Sequence, residues 1–150
     1  MAIIFVGLWP LLSFRLQIKL DITDEKYDAM VWLRSTDKNS TVYLVGLFGP
    51  WEKFGFRNNT IPYSNGTVTV DPLKALEHDY IVIAPEKKGT KEDLLFFKTV
   101  TEFFSSLNLE ISYYTEHMLI FKVKGEERNA IKARALEKLK IVNKTLSLEK

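Results

Sequence analysis

The run Thr23-Asp24-Glu25-Lys26-Tyr27-Asp28-Ala29-Met30-Val31-Trp32-Leu33-Arg34, the polar link Ser35 to Ser40, and Thr41-Val42-Tyr43-Leu44-Val45-Gly46-Leu47-Phe48-Gly49-Pro50-Trp51 decide the fold. Thr23 is a good N-cap, and Asp24 and Glu25 sit where the positive end of the helix dipole favours carboxylates. Tyr27, Met30 and Val31 form one helical stripe; Ala29, Trp32 and Leu33 form a second. Together they cover more than half of the circumference, which predicts a helix sandwiched between layers. Thr41 to Val45 is short, apolar and β-branched, the signature of a strand buried on both faces. Gly46 to Trp51 then breaks that strand and opens a glycine- and aromatic-rich loop.

Outward from this core the same alternation continues. Thr67-Val68-Thr69-Val70 reads as a strand, and Asp71-Pro72 as a helix start, with Asp as cap and Pro in the first turn, leading to about Glu77. Tyr80 to Ala84 is a second buried strand. Thr90 and Asp93 make a capping box ahead of the longest amphipathic helix, where Phe96, Val100, Phe103 and Leu107 recur, with Leu94, Phe97 and Phe104 beside them. Leu109 to Tyr113 and Met118 to Val123 read as a β-hairpin turning at Thr115-Glu116-His117. Glu126 to Val142 is a last helix, with Ile131, Leu136 and Leu139 expected inward. The expectation is an α/β fold: a three-layer sandwich with a mixed, mostly parallel sheet and a C-terminal hairpin plus helix, the Val42 and Tyr80 strands adjacent at its centre.

At 150 residues, residues 15–150 are expected to form a single α/β domain, preceded by an apolar segment at 1–14. Apolar content of 46% and 27% charge describe a folded chain, and a net charge of +2 implies neither nucleic acid nor an anionic membrane. With no cysteine, disulfides, thiolate chemistry and Cys-based zinc sites are excluded. Ile3 to Phe14 is too short for a complete spanning helix and is interrupted by Pro10. Three readings stand: an internal strand followed by another at Arg15 to Leu20, an amphipathic anchor contacting a membrane or a membrane protein through residues 3–14, or the tail of a membrane helix.

The chemistry-bearing patterns are sparse. No dinucleotide fingerprint, P-loop, zinc-protease helix or nucleophile elbow occurs, and no cofactor is expected. His78 and His117 stand apart, without metal-ligand neighbours a helical turn away. Glu77 and Asp79 are spaced to hold a divalent cation, although a polar helix-to-strand turn is the simpler reading, and no metal is expected. Trp51, Phe54 and Phe56, with Glu52, Lys53 and Arg57, interleave rings and charges, an arrangement that can stack on a sugar and bind its hydroxyls or pack under the sheet edge. The basic stretch 124–150, with eight Lys or Arg against four acids, reads as a solvated helix face, and no nucleic acid partner is expected. More distinctive are four N-glycosylation sequons, at Asn39, Asn58, Asn65 and Asn143. Seven Asn and nineteen Ser plus Thr would give about one sequon by chance, so the excess points to an extracytoplasmic surface.

The run Asp24 to Arg34, then Asn39-Ser40-Thr41-Val42-Tyr43-Leu44 and later Asp79-Tyr80-Ile81-Val82-Ile83, resembles the segment after the last transmembrane helix of multi-spanning lipid-sugar-dependent glycosyltransferases. These form the dolichyl-phosphate-mannose mannosyltransferase and oligosaccharyltransferase-like superfamily, the archaeal members above all. The resemblance spans roughly residues 15 to 123. It implies a non-catalytic accessory domain, or a detached relative, acting outside the cytoplasm in protein or lipid glycosylation, membrane-associated and with a glycan as a possible partner. The superfamily's catalytic acids lie in an early loop that this chain does not contain, so no catalytic residue carries over. A soluble interaction module, which leaves a cytoplasmic location open, stays beside this reading, as does nucleic-acid binding by the basic helix.

Overall fold

A computed structural model of the chain describes residues 24–46, 56, 59–60, 63–64, 67–68, 70–84 and 90–148. These fall into two compact units. The first includes helix α1 (Asp24–Thr36) and Phe56. The second holds strand β1 (Val42–Gly46) and the described residues from 59 onward. In chain order these are β2 (Asn59–Thr60), β3 (Tyr63–Ser64), β4 (Thr67–Val68), α2 (Pro72–Ala75), β5 (Tyr80–Ala84), α3 (Lys91–Ser105), β6 (Glu110–Thr115), β7 (Met118–Lys122), a 3-10 turn (Gly125–Glu127) and α4 (Arg128–Leu148).

In the first unit, α1 buries Ala29, Met30 and Leu33, whereas Tyr27 and Val31 are about half exposed. The helix therefore buries one stripe and shows another to solvent, not the two buried stripes expected of a sandwiched helix. Residues 1–23, with the apolar segment 3–14 and the Thr23 cap, lie outside the described residues.

The second unit is built on a five-stranded sheet in the order β2-β1-β5-β7-β6. The β1 and β5 strands pair in parallel over their whole length, from Val42 opposite Tyr80 to Gly46 opposite Ala84, adjacent as expected. The β2–β1 pairing is also parallel; β5–β7 and β6–β7 are antiparallel. The sheet is thus mixed and α/β, but parallel and antiparallel pairs are equal in number rather than mostly parallel. The physical reason lies in the connections: β6 and β7 are joined by a tight turn, which permits only antiparallel pairing. Two short pieces, β3 and β4, form a separate antiparallel ladder where one longer strand over 67–70 is expected.

Register organises the core. Tyr43, Ile81 and Phe121 stand in one row across β1, β5 and β7, and Val45, Ile83 and Leu119 in a parallel row on the same face. Phe97, Val100, Phe104 and Leu107 from α3 and its end, with Ile131 and Ala135 of α4, close over these rows. The Phe104 and Phe121 rings meet at 6.2 Å. On the other face Val42, Leu44, Tyr80, Val82 and Ile120 are equally dry. A fully buried side chain of this size contributes roughly 1.5–3 kcal/mol, so these rows dominate the unit's stability.

Local signals set the helix boundaries. The Thr90 hydroxyl accepts from the Asp93 amide while the Asp93 carboxylate accepts from Thr90, the expected capping box. Asp71 caps α2 through the amides of Leu73 and Lys74, with Pro72 opening the helix. After α3 the chain reverses at Asn108 (φ 58°), a left-handed conformation that asparagine tolerates better than most residues. One inward expectation fails on helical phase. Leu136 is 43% exposed because Ile131 and Ala135, four apart, take the core stripe; on α3, where Phe97, Val100 and Phe104 take it, Leu94 is 54% exposed. The last helix also runs on past Val142 to Leu148.

Two predictions follow from this packing. In urea denaturation, Phe121→Ala should lose about 3–5 kcal/mol through cavity formation, while exposed Leu95→Ala stays within ~0.5 kcal/mol of the parent. On β6, the Thr115 hydroxyl is buried without a hydrogen-bond partner. Thr115→Val should therefore leave stability unchanged or raise it by about 1 kcal/mol, since the valine removes an unmet polar group.

Candidate functional site

Among the described residues, the densest polar constellation lies at the amino ends of β1 and β5, where Thr41 and Asp79 immediately precede their strands. The Thr41 amide and hydroxyl donate to Asp79 Oδ2 at 2.8 and 2.9 Å. The Asp79 amide in turn donates to the Thr41 hydroxyl at 3.1 Å and to its carbonyl at 3.0 Å. From α4, Arg128 Nη2 donates to Asp79 Oδ1 at 2.7 Å. One turn further along that helix, Lys132 Nζ meets Glu77 Oε1 at 3.2 Å. Three elements separated by 38 and 49 residues in sequence converge on one carboxylate.

The electrostatics follow from this geometry. Partial burial pushes the Asp79 carboxyl up, but hydrogen bonds from Thr41, the Arg128 hydrogen bond and the Arg128 charge outweigh it and hold the group below the usual carboxylate range. Arg128 spends Nη2 on Asp79, while its Nε is buried without a partner.

A second, smaller group sits beside it. The Tyr43 hydroxyl accepts from the Asp71 amide at 3.2 Å, and the Tyr43 ring meets His78 edge-on at 5.3 Å. His78 Nδ1 lies 3.0 Å from the Lys74 carbonyl; because a carbonyl only accepts, Nδ1 carries the proton. Burial pushes the Tyr43 hydroxyl's pKa up, so it stays neutral. His78 is thereby tied to the end of α2, and His117 lies apart in the β6–β7 turn beside Glu116.

The sequence-level candidates are thus distributed as follows. Glu77 and Asp79 each face a separate cation, so the two carboxylates do not converge on one point. Among the described residues, no cluster of three or more His, Asp or Glu is arranged to hold a metal ion. Trp51, Glu52, Phe54 and Arg57 lie outside the described residues, as do Asn58 and Asn65. Asn39 occupies an exposed turn between α1 and β1; Asn143 falls inside α4 rather than in a loop. Thr41 and Arg128, the partners that complete the Asp79 cluster, were not legible beforehand. A Thr at a strand start and an Arg opening a helix are ordinary residues until the fold brings them together.

What this arrangement can do chemically is limited by its saturation. Both Asp79 oxygens are engaged, by the Thr41 amide and hydroxyl on one side and Arg128 Nη2 on the other. In open α/β sheets ligands bind beyond the carboxyl ends of the strands. The Asp79 cluster lies at the opposite, amino end, and reads as a clasp that sets the β1–β5 register. No family model, curated protein or solved structure matches the chain. No helix among the described residues is long and apolar enough to cross a membrane.

The clasp makes a pH-dependent prediction. A carboxyl whose folded pKa is depressed stabilises the fold above its unfolded value of about 3.9, and that contribution disappears as pH falls through the folded value. Asp79→Asn should cost about 1 kcal/mol at pH 7 after allowance for solvent screening of a partly exposed pair. The gap between variant and parent should close in urea titrations repeated between pH 5 and pH 2.

Proposed function

We propose that this chain is a non-catalytic accessory domain in extracytoplasmic protein or lipid glycosylation, a part or detached relative of a membrane glycosyltransferase, acting by docking rather than by chemistry. The observation that carries the non-catalytic half is the closure of the Asp79 cluster. Its central acid, which lies within the segment of family resemblance, is consumed by Thr41 and Arg128 and serves the sheet. A general acid or base needs a carboxyl able to reach a substrate proton, and its pKa is tuned toward the working pH. Asp79 is moved the other way.

The extracytoplasmic half draws on the sequon excess and on Asn39, which lies in an exposed turn. It also draws on the resemblance, whose two strand segments, at Val42 and Tyr80, form the central parallel pair. A small interaction module without any link to glycosylation is the second reading, favoured by the apolar side chains exposed on α3, β6 and α4.

Peptide mass spectrometry on the chain isolated from its own cells separates the two. N-linked glycan on Asn39, removed by Asn39→Gln, and recovery of the chain with membranes are the expected results. Unmodified Asn39, Asn58 and Asn65 in a chain recovered free of membranes would overturn the glycosylation reading.

A further inference from the structure

Strand β6 is the outermost strand on its side of the sheet among the described residues, pairing with β7 alone. At six residues it is long for an edge, and its outer row of backbone amides and carbonyls is the kind of surface that recruits another strand. Edges are usually defended by charge, proline or a bulge that turns them away. Here the only charge within the strand is Glu110, which pairs with Lys124 at 3.5 Å, and proline is absent.

A bulge is present, and it has an unusual consequence. The ladder runs Ile111 opposite Phe121, then Tyr113 opposite Ile120 and Tyr114 opposite Leu119, with the register slipping at Ser112. Phe121 and Leu119 both face the helix-covered side of the sheet. Ile111 and Tyr114 therefore share that face, although residues three apart in a regular strand would lie on opposite faces. Both are open to solvent, at 56% and 73% exposure. The bulge has gathered two large apolar side chains onto one side of an unpaired edge.

We infer that β6 pairs with β6 of a second copy of this chain, antiparallel about a two-fold axis, to form a continuous ten-stranded sheet. One register satisfies every feature at once. With Ile111 opposite Tyr114 of the other copy, the two-fold repeats the contact, and all four exposed side chains are covered in two apolar cross-strand pairs. Pairs of this kind add to the backbone bonds of the new ladder. In the same register Glu110 meets Thr115 rather than its own counterpart. The two Glu110–Lys124 pairs lie at opposite ends, each beside the Glu116–His117 turn of the other copy. No carboxylate is set against another without a cation nearby. A peptide strand from an unrelated protein would meet the backbone equally well, but nothing requires it to present apolar groups at these two positions; a second copy does so by symmetry. A contact confined to one strand is small, so the dimer is a weak one that forms in the micromolar range. The inference stands independently of any role in glycosylation.

The absence of cysteine allows a register-specific test on the full chain. Ile111→Cys and Tyr114→Cys are prepared as separate chains. Paired residues in an antiparallel ladder have Cβ atoms about 5 Å apart, within disulfide reach, whereas each cysteine lies roughly 10 Å from its own symmetry mate. A mixture of the two chains should cross-link under mild oxidation, and neither chain alone should do so. Sedimentation of the parent should show reversible dimerisation, weakened at least tenfold by Tyr114→Lys, with unchanged thermal unfolding at low concentration showing that the variant folds. A parent that stays monomeric up to about 500 µM would overturn the proposal. So would association unaffected by Tyr114→Lys, or cross-linking in the single-variant chains to the same extent as in the mixture; the latter two would place the contact on another surface.

Discussion

The parallel pairing of Val42–Gly46 with Tyr80–Ala84 is the constraint on which the second unit depends. All ten residues are buried, so neither strand has a solvated face to fall back on, and a slip of one residue would exchange the two side-chain rows. Parallel strands also lack the tight turn that fixes register in a hairpin. The chain between them supplies β2, the β3–β4 ladder and α2, none of which sets the register by itself. That task falls to the amino ends. Thr41 and Asp79 exchange backbone and side-chain hydrogen bonds, and Arg128 locks the carboxylate from a third element. The pair thus begins in a fixed alignment before its apolar rows meet the helices.

This use of a charged cluster explains why the polar chemistry of the unit is inward-looking. A carboxylate held by an amide, a hydroxyl and a guanidinium is a good register pin because it is directional and because removing any partner strands the others. The same saturation makes it a poor reaction centre. Where the molecule is left unfinished is at its apolar and backbone surfaces. The Ile111–Tyr114 pair on β6 exists only because an inserted residue shifts the phase of the strand. The β6 edge combines two exposed apolar side chains with a strand that, among the described residues, pairs on one side only, and that combination is the usual mark of a docking surface.

Much of the fold was legible from local physics. The β-branched runs at Val42 and Tyr80, the Thr90–Asp93 box, the Asp71-Pro72 start and the hairpin around Glu116 all act within a few residues, and each appears where its chemistry places it. Errors arose where side-chain fate depends on phase or on a distant neighbour. Periodicity places Leu136 inward, but which stripe of a broad apolar face is covered is decided by the element it meets. The candidate site was less legible still. In sequence Asp79 reads as half of a cation-binding spacing with Glu77, whereas its actual partners lie 38 and 49 residues away.

By itself the sequence determined the longer elements after Asp71, their order, the dryness of the two central strands and the absence of thiol chemistry, since all of these rest on contacts or composition within a short stretch of chain. Only tertiary structure decided the equal mix of parallel and antiparallel pairs, the Thr41–Asp79–Arg128 clasp and the gathering of Ile111 and Tyr114 on one face. Those depend on register between segments far apart, and register is a property of the assembled sheet, where a single bulged residue redirects every side chain beyond it.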